Sequence, residues 1–182
     1  MKDLGFEGLK SDAGLFIFKN KHGFVIAVIY VDDTLFCGPN KTMVQELKEK
    51  FMKRWECRDL GDVTEFLCMK VHKTSSKVSL DQFAYLETVL KCCRMQNCKS
   101  ATTPLPARYI PEPVSTETVI DPELRSCYQM VIGSLLYLML GTRPDIAFVV
   151  IQLDQFAARP SEEHFTKALS GVKIRLLTCL IL

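Results

Sequence analysis

An eight-residue, almost entirely apolar run sets the strongest limit on how this chain can fold. Residues 24–31 read FVIAVIYV, and two aspartates, Asp32 and Asp33, follow directly. A short apolar run of this kind, rich in β-branched residues and bounded by turn signals, is typical of a buried strand. Two adjacent charges at its end are therefore expected at the edge of a buried sheet.

Strand patterns dominate the first forty residues. The β-type runs 15–19 and 24–30 are separated by the turn signal NKHG, and 34–37 supplies a third short strand. Apolar residues then recur at helical spacing, which predicts an amphipathic helix over 41–57. These signals predict antiparallel strands followed by a helix.

The rest of the chain alternates between a second hairpin and helices. Strands are predicted at 66–72 and 77–80, around the polar loop KTSS, and a helix is predicted from Phe83 to Cys93. Four prolines between residues 102 and 117 predict an irregular connector. Helices are predicted over 122–140, with Asp121 as the cap, and over 145–157. The fold class is therefore α+β.

Composition limits the classes of function. With 48% hydrophobic residues among 182, the chain can bury a core, and its net charge of +2 gives no overall sign of a nucleic-acid binder. The charge is unevenly distributed, because residues 66–100 carry six basic and two acidic side chains. This excess indicates either a contact with phosphates or an ordinary solvated surface.

The eight cysteines do not indicate a disulfide framework. The start of the chain, MKDLGFEGLK, lacks the apolar region of a signal peptide, so we expect reduced thiols in buried structural positions. Neither the cysteines nor the three histidines have the spacing of a zinc site. The strongly apolar run near residue 182, LLTCLIL, is far shorter than a membrane span, so no membrane association is expected.

The paired aspartates allow two interpretations. Neighbouring side chains on a strand point to opposite faces, so Asp32 and Asp33 can serve one site only where the backbone reverses. At such a hairpin tip, two carboxylates suit Mg²⁺, which binds hard oxygen ligands together with substrate phosphates. Exposed Asp-Asp turns are also common, and an ordinary turn remains the alternative.

The motifs around this pair resemble one family. YVDD, at residues 30–33, is similar to the polymerase signature of reverse transcriptases, and the surrounding sequence resembles the copia-type retrotransposon branch. The ordered segments that carry the resemblance are LGFEGLKSDAGLF (4–16), RDLGDVTEFLCMKV (58–71), LDQFAYLETVL (80–90), CKSATTPL (98–105), YQMVIGSLLYLMLGTRPDIAFVV (128–150) and FAARPSEEH (156–164).

The resemblance implies roles for particular residues. Tyr30, Asp32 and Asp33 would form the catalytic hairpin, with both aspartates positioned to hold Mg²⁺ for RNA-directed and DNA-directed DNA synthesis from deoxynucleoside triphosphates (dNTPs). The hairpin FLCMKV…KVSLDQ would grip the primer end, and the next helices would correspond to the thumb. The basic residues that would then contact an RNA/DNA template-primer are Lys70, Lys73, Lys77, Lys91, Arg94 and Lys99.

The resemblance also implies a division of the chain. A partial polymerase palm would occupy 1–65, a primer-grip-like hairpin and thumb helix 66–100, a Pro-rich connector 101–120, and a helical connection region with a degenerate C-terminus 121–182. In TRPD, Arg143 and Asp145 match the family, but starting and capping a helix would explain them. Cys68 stands where the family usually has glycine, which could tighten the primer-side hairpin.

One departure bears on activity. The family uses a third catalytic carboxylate on a palm strand upstream of YVDD, and that strand and the fingers are missing from these residues; Asp12 is interpreted as a turn residue. We therefore expect an inactive fragment that needs the missing palm and fingers part as its partner. Its location would be cytoplasmic, in particles of the parent element, with the nucleus as a second location. The alternative is a non-catalytic α+β module that binds nucleic acid or a partner.

Overall fold

The computed structural model describes residues 1–99, residue 105, residues 109–172 and the backbone of 180–181. The chain forms two compact units, Met1–Val63 and Thr64–Leu182. Each unit contains an antiparallel sheet and helices, so the predicted mixture of helices with antiparallel strands is confirmed.

The first unit is a four-stranded antiparallel sheet with one helix. The strands pair in chain order, and the Asn40 side chain caps the helix by accepting a hydrogen bond from the Met43 N–H at 3.2 Å. The predicted helix end at residue 57 was wrong, because Trp55 has an extended backbone and ends the helix. The elements are β1 (Glu7–Gly8), β2 (Leu15–Asn20), β3 (Gly23–Tyr30), β4 (Asp33–Cys37) and α1 (Lys41–Arg54).

A small core holds this first unit together. Strand β3 buries Val25 and Ala27 on one face, as expected for the period of two along a strand, and α1 packs Met43 and Leu47 against them. Phe6 completes the core, and its ring lies 5.7 Å from that of Phe18. The apolar sequence run thus forms the central strand of the unit.

The sheet of the second unit corrects one prediction. The strand predicted over 66–72 is interrupted by a tight turn at Leu67 and Cys68, so two short strands replace it. The hairpin around KTSS forms as predicted. The strands, in spatial and chain order, are β5 (Glu65–Phe66), β6 (Met69–Lys73), β7 (Val78–Asp81) and β8 (Leu180–Ile181).

Helices make up most of the second unit. The Asp121 side chain accepts a hydrogen bond from the Glu123 N–H at 3.0 Å, which confirms the predicted cap. The helix predicted over 145–157 was too long, because it begins as a 3-10 turn, Pro144–Ile146, and ends at Asp154. The helices are α2 (Phe83–Cys92), α3 (Pro122–Gly141), α4 (Ala147–Asp154) and α5 (Glu162–Val172).

A larger core lies among these helices. Its centre is Tyr128, which is fully buried and whose hydroxyl donates to the Leu153 carbonyl at 2.7 Å. Burial raises the pKa of the Tyr128 hydroxyl, so it stays protonated and keeps donating. Val131, Val150 and Ala168 bring α3, α4 and α5 into the same cluster. None of the described helices is both long and apolar enough to cross a membrane.

The predicted connector has neither helix nor strand in its described part, residues 105 and 109–120; residues 101–104 and 106–108 lie outside the described residues. We call residues 109–119 the strap. The Arg159 Nη2 donates to the carbonyls of Ser115, Thr116 and Thr118 at 2.8, 3.2 and 2.8 Å. Arg159, which lies just before α5, therefore holds the strap.

The cysteines are less buried than predicted. All seven described cysteines are free thiols, as expected, but four are exposed and three are half-buried. The expectation of buried structural cysteines was therefore wrong for these seven, since none of them is fully buried. The eighth, Cys179, lies outside the described residues.

Candidate functional site

The two aspartates lie at the tip of the hairpin formed by β3 and β4. Tyr30 and Asp33 are paired across the strands, so Val31 and Asp32 are the two residues of the turn. Both carboxylates are exposed, and Tyr30 is 58% exposed. The hairpin therefore presents two carboxylates and a phenol to solvent within four residues, at the backbone reversal that the sequence required.

The turn itself is strained. Val31 has a φ of 51°, and Asp32, the other turn residue, does not have a positive φ. A positive φ at the first central residue alone is the pattern of type II′ turns, which prefer glycine there because a β-carbon is disfavoured. Val31 is β-branched and 82% exposed, so packing does not offset the strain.

A loop of the first unit contacts this hairpin directly beside the turn. The Ile29 N–H donates to the Gly14 carbonyl at 2.8 Å, and a β-carbon at Gly14 would lie 2.5 Å from the Ile29 carbonyl oxygen. Only glycine fits this close approach. The Asp12 carboxylate accepts the Gly14 N–H at 2.7 Å, which confirms its interpretation as a turn residue.

The donor set at the tip matches part of a magnesium site. Two carboxylates are the usual protein contribution to Mg²⁺, which takes its other ligands from water and phosphates. Within the described residues, no group of three or more His, Cys, Asp or Glu side chains could hold a metal ion. The tip can thus supply two oxygen ligands, and a third carboxylate does not join them there.

The hairpin of β5 and β6 also has a left-handed turn. Phe66 pairs with Met69, and the two residues between them, Leu67 and Cys68, have φ values of 51° and 58°. Two successive positive φ values define a type I′ turn, which prefers Asn-Gly. A glycine at the position of Cys68, which the resemblance implies, would suit this turn, whereas Cys68 strains it. The Leu67 carbonyl accepts from the Tyr137 hydroxyl at 2.7 Å, which ties the turn to α3.

The cations that were predicted to contact phosphates are all exposed, but they do not all lie on one face of the sheet. On β6, Lys70 stands opposite Asp81 and Lys73 opposite Val78, and an odd spacing puts them on opposite faces of the strand. Lys77 lies in the loop before β7. The structure therefore does not join all the hairpin cations in one patch. All six predicted residues are exposed, and none forms an ion pair with another described residue: Lys70, Lys73, Lys77, Lys91, Arg94 and Lys99.

Asp81 joins the hairpin to α2. Its carboxylate accepts the Phe83 N–H at 2.9 Å at the start of the helix and also contacts His72 Nε2. Burial alone would raise the pKa of Asp81, but the Phe83 N–H, His72 and Lys70 together hold it below its usual value. The carboxylate therefore stays charged and fixes the strand-to-helix junction.

Sequence reasoning missed one buried polar contact. Gln82 is 4% exposed, its Nε2 donates to the Tyr137 carbonyl at 3.3 Å, and its Oε1 accepts from the Thr142 hydroxyl at 2.8 Å. These bonds join α2 to the end of α3. A polar residue between the last strand residue and an apolar helix was the available signal, and it also fits an ordinary helix start.

TRPD starts a 3-10 turn, as expected, but the expected cap does not form, because Arg143 at the cap position makes no side-chain cap hydrogen bond. The Arg143 guanidinium is 4% exposed and donates from Nε and Nη2 to both Asp145 oxygens at 2.8 Å. This bidentate pair holds the pKa of Asp145 below its usual value, although burial opposes the shift. The 3-10 turn that Pro144 begins brings the two side chains together.

Comparisons with known proteins show which family and which relatives the chain is similar to. Residues 1–107 match the family described as "Reverse transcriptase (RNA-dependent DNA polymerase)". The chain is similar to the retrovirus-related Pol polyprotein from transposon TNT 1-94 of Nicotiana tabacum, at 34% identity over 80% of this chain and 11% of the relative. No solved structure gives a significant match.

Two further relatives show how much of each protein is shared. The Pol polyprotein from transposon RE1 of Arabidopsis thaliana is 30% identical over 88% of this chain and 11% of its own length. A putative transposon Ty5-1 protein of Saccharomyces cerevisiae is 28% identical over 92% of this chain and 54% of its own length. The chain thus spans about a tenth of the two Pol polyproteins.

Proposed function

We propose a function from the premise that this chain belongs to the reverse transcriptase (RNA-dependent DNA polymerase) family of copia-type retrotransposons. The first unit is the part of the palm with the catalytic hairpin, and the second unit holds the primer end and provides thumb and connection elements. By itself, the 182-residue polypeptide does not polymerise DNA.

The position of YVDD supports this proposal most strongly. Tyr30 ends β3, Asp33 begins β4, and both aspartates are exposed at the tip. Phosphoryl transfer requires carboxylates on a rigid platform, and a hairpin that Gly14 holds directly beside its turn provides one. Asp32 and Asp33 would hold Mg²⁺, which when bound would neutralise charge on the triphosphate of a dNTP. Tyr30 would pack beside them.

Primer extension tests the proposed inactivity. Two carboxylates cannot position two metal ions for in-line attack, and within the described residues no third joins them. The purified chain with an RNA template, a DNA primer, dNTPs and Mg²⁺ should give no extension product. Extension that disappears in Asp32→Asn and Asp33→Asn would overturn this part of the proposal.

Terbium luminescence tests the metal site separately from activity. Tb³⁺ binds the same hard oxygen ligands and emits when a nearby tyrosine is excited, and Tyr30 is next to the turn. We expect sensitised emission that Mg²⁺ competes away and that Asp32→Asn with Asp33→Asn abolishes. Asp62→Asn, which removes another exposed carboxylate of the same unit, is the matched control and should leave the emission intact.

The exposed cations support the alternative of a non-catalytic nucleic-acid-binding module. All six are exposed, and each that contacts a phosphate would steepen the fall of log affinity with log salt by about 0.7 to 0.9. We expect Lys73→Ala and Lys77→Ala each to make this fall shallower by that amount for an RNA/DNA hybrid. The control, Lys21→Ala in the first unit, should not. Unchanged slopes would leave these lysines as an ordinary solvated surface.

The rest of the polymerase is the proposed partner. Strand β4 pairs only with β3 among the described residues, so one backbone edge is free to accept another strand. A palm strand with the third carboxylate would there lie beside Asp33. Co-expression with the palm and fingers of a parent enzyme should give a stable complex, and separate elution of the two parts would contradict this pairing. The cytoplasmic location in element particles, or a nuclear one, stays a prediction.

A further inference from the structure

A cleft lies between the segment that follows α2 and helix α5. Its volume is about 410 Å³, and residues 94–98 form one wall while Thr166 and Leu169 of α5 form the other. This volume lies in the usual range for small-ligand sites, roughly 300–1,000 Å³. The cleft is therefore large enough for one nucleotide unit.

The lining of the cleft combines the groups that a nucleotide needs. Met95 and Leu169 supply apolar surface, and Gln96 and Asn97 supply carboxamides, which pair with base edges. Arg94 supplies a guanidinium, which suits a phosphate. None of the described lining residues carries a carboxylate, so nothing in that wall repels an anion.

The backbone of Arg94 gives a second, independent observation. Arg94 follows α2 with a φ of 55°, its N–H donates to the Lys91 carbonyl at 3.0 Å, and the Met95 N–H donates to the Leu90 carbonyl at 2.8 Å. This is a Schellman motif, whose left-handed residue is usually glycine. An arginine there costs about 1 kcal/mol in backbone strain, although it is exposed and lines the cleft.

We propose that this cleft binds one unpaired nucleotide of a single-stranded nucleic acid, with Arg94 on the phosphate, Asn97 on the base edge, and Met95 and Leu169 against the base. This proposal deepens the proposed nucleic-acid binding and rests on it. Of the six predicted cations, Arg94 is the one that lines this cleft. Recognition of a base also separates this site from the hairpin lysines, which meet only the phosphate backbone.

Nuclear magnetic resonance titration tests the cleft with adenosine 5′-monophosphate and a short single-stranded oligoadenylate as probes. We expect saturable shifts of the Asn97 side-chain amide and of the backbone amides of 94–98 with both probes. Arg94→Gly suits the left-handed backbone, so the fold is retained, and it should weaken binding by about tenfold through loss of a charged hydrogen bond. Asn97→Ala should weaken binding of the nucleotide but not of ribose 5-phosphate, and Lys21→Ala should change neither.

The outcomes separate this inference from the proposed function. Absence of saturable shifts, or unchanged binding in Arg94→Gly, overturns the cleft. If the RNA/DNA hybrid still binds the same protein, only the cleft proposal fails. If the hybrid does not bind while the mononucleotide does, the cleft stands as a nucleotide site and the grip on template-primer fails.

Discussion

At the scale of single residues, left-handed backbone at residues other than glycine occurs in the β3–β4 turn, in the β5–β6 turn and after the end of α2. Among the described residues these positions are Val31, Leu67, Cys68 and Arg94. Left-handed conformations cost a residue with a β-carbon roughly 1–2 kcal/mol, and such strain persists only where the surrounding structure enforces it. The hairpin of β3 and β4 and the cleft each contain one of them.

Replacing Val31 by glycine should stabilise the first unit. The side chain is 82% exposed, so little packing is lost, while the strain at φ 51° is relieved. After the entropy cost of glycine we expect a gain of about 1 kcal/mol in the free energy of unfolding, measured by urea denaturation. Val31→Ala keeps the β-carbon and should gain less. A loss of stability in Val31→Gly would show that the valine makes a compensating contact.

Replacing Cys68 by glycine should stabilise the hairpin of β5 and β6. Cys68 is exposed, unpaired in a disulfide, and at the second position of a type I′ turn where glycine is preferred. We expect an increase of about 1 kcal/mol, read as slower amide exchange in β5 and β6. Cys92→Ser, which removes another exposed thiol but leaves the turns unchanged, is the control. Equal exchange rates in Cys68→Gly and the wild type would contradict the strain argument.

At the scale of elements, the start of α5 depends on a neutral histidine. The Ser161 N–H donates to His164 Nδ1 at 3.2 Å, and the His164 N–H donates to the Ser161 hydroxyl at 3.1 Å, a reciprocal capping box. Protonation of Nδ1 would remove its acceptor. The ring is 2% exposed and stacks on Phe156 at 4.2 Å. This cap sits beside Arg159, which holds the strap.

The second unit should therefore lose stability in mild acid. Burial lowers the pKa of His164 below its usual 6.5, although the Glu112 backbone and the Glu163 carboxylate oppose the shift. The unfolded chain then binds a proton that the folded chain does not, so this stability is complete above 6.5 and is lost as the pH falls below it. Thermal midpoints between about pH 5 and about pH 7 should rise with pH.

The variant His164→Gln provides the matched comparison. Glutamine can complete the same capping box but does not titrate, so its thermal midpoint should depend less on pH over this interval. His22→Gln, which changes an exposed histidine in the first unit, should keep the slope of the wild type. A slope that persists in His164→Gln would assign the pH dependence to another group.

At the scale of the whole molecule, the described residues form two hydrophobic cores with no shared residue. Among these residues, the first core contains five buried residues and the second contains fifteen. Since burial of apolar surface is the main stabilising contribution, the first unit should unfold more easily than the second. A single two-state transition is therefore not expected for the full chain.

Two equivalent core substitutions test this. Val25 and Val150 are both fully buried, one in each core, and truncation to alanine should cost about 2 kcal/mol at each site. Calorimetry should show two transitions, with Val25→Ala lowering only the earlier midpoint and Val150→Ala only the later one. If either substitution shifted a single common transition, the two cores would be one cooperative unit.

The sequence alone determined the local elements and the family. A continuous apolar run, helical spacing and ordered motifs are properties of neighbouring residues, so the strands of β3 and β4, the cap at Asp121 and the position of YVDD were predictable from the chain. Element ends were less so. The helix after Asn40 stops at Arg54 because Trp55 turns extended although it continues the apolar spacing. The strand predicted at 66–72 contains a turn because the pattern of apolar residues does not report the left-handed backbone at Leu67 and Cys68.

Only the tertiary structure decided which distant residues meet. Lys73 lay outside the strand predicted over 66–72, and only the observed pairing of β6 with β7 through Lys73 put it on the face opposite Lys70. The cleft likewise joins residues 94–98 to α5 across about seventy positions of sequence, and Arg159 reaches back to the strap. Such contacts depend on how helices pack, which is a cooperative property of the buried core, whereas hairpins and caps depend on a few consecutive residues.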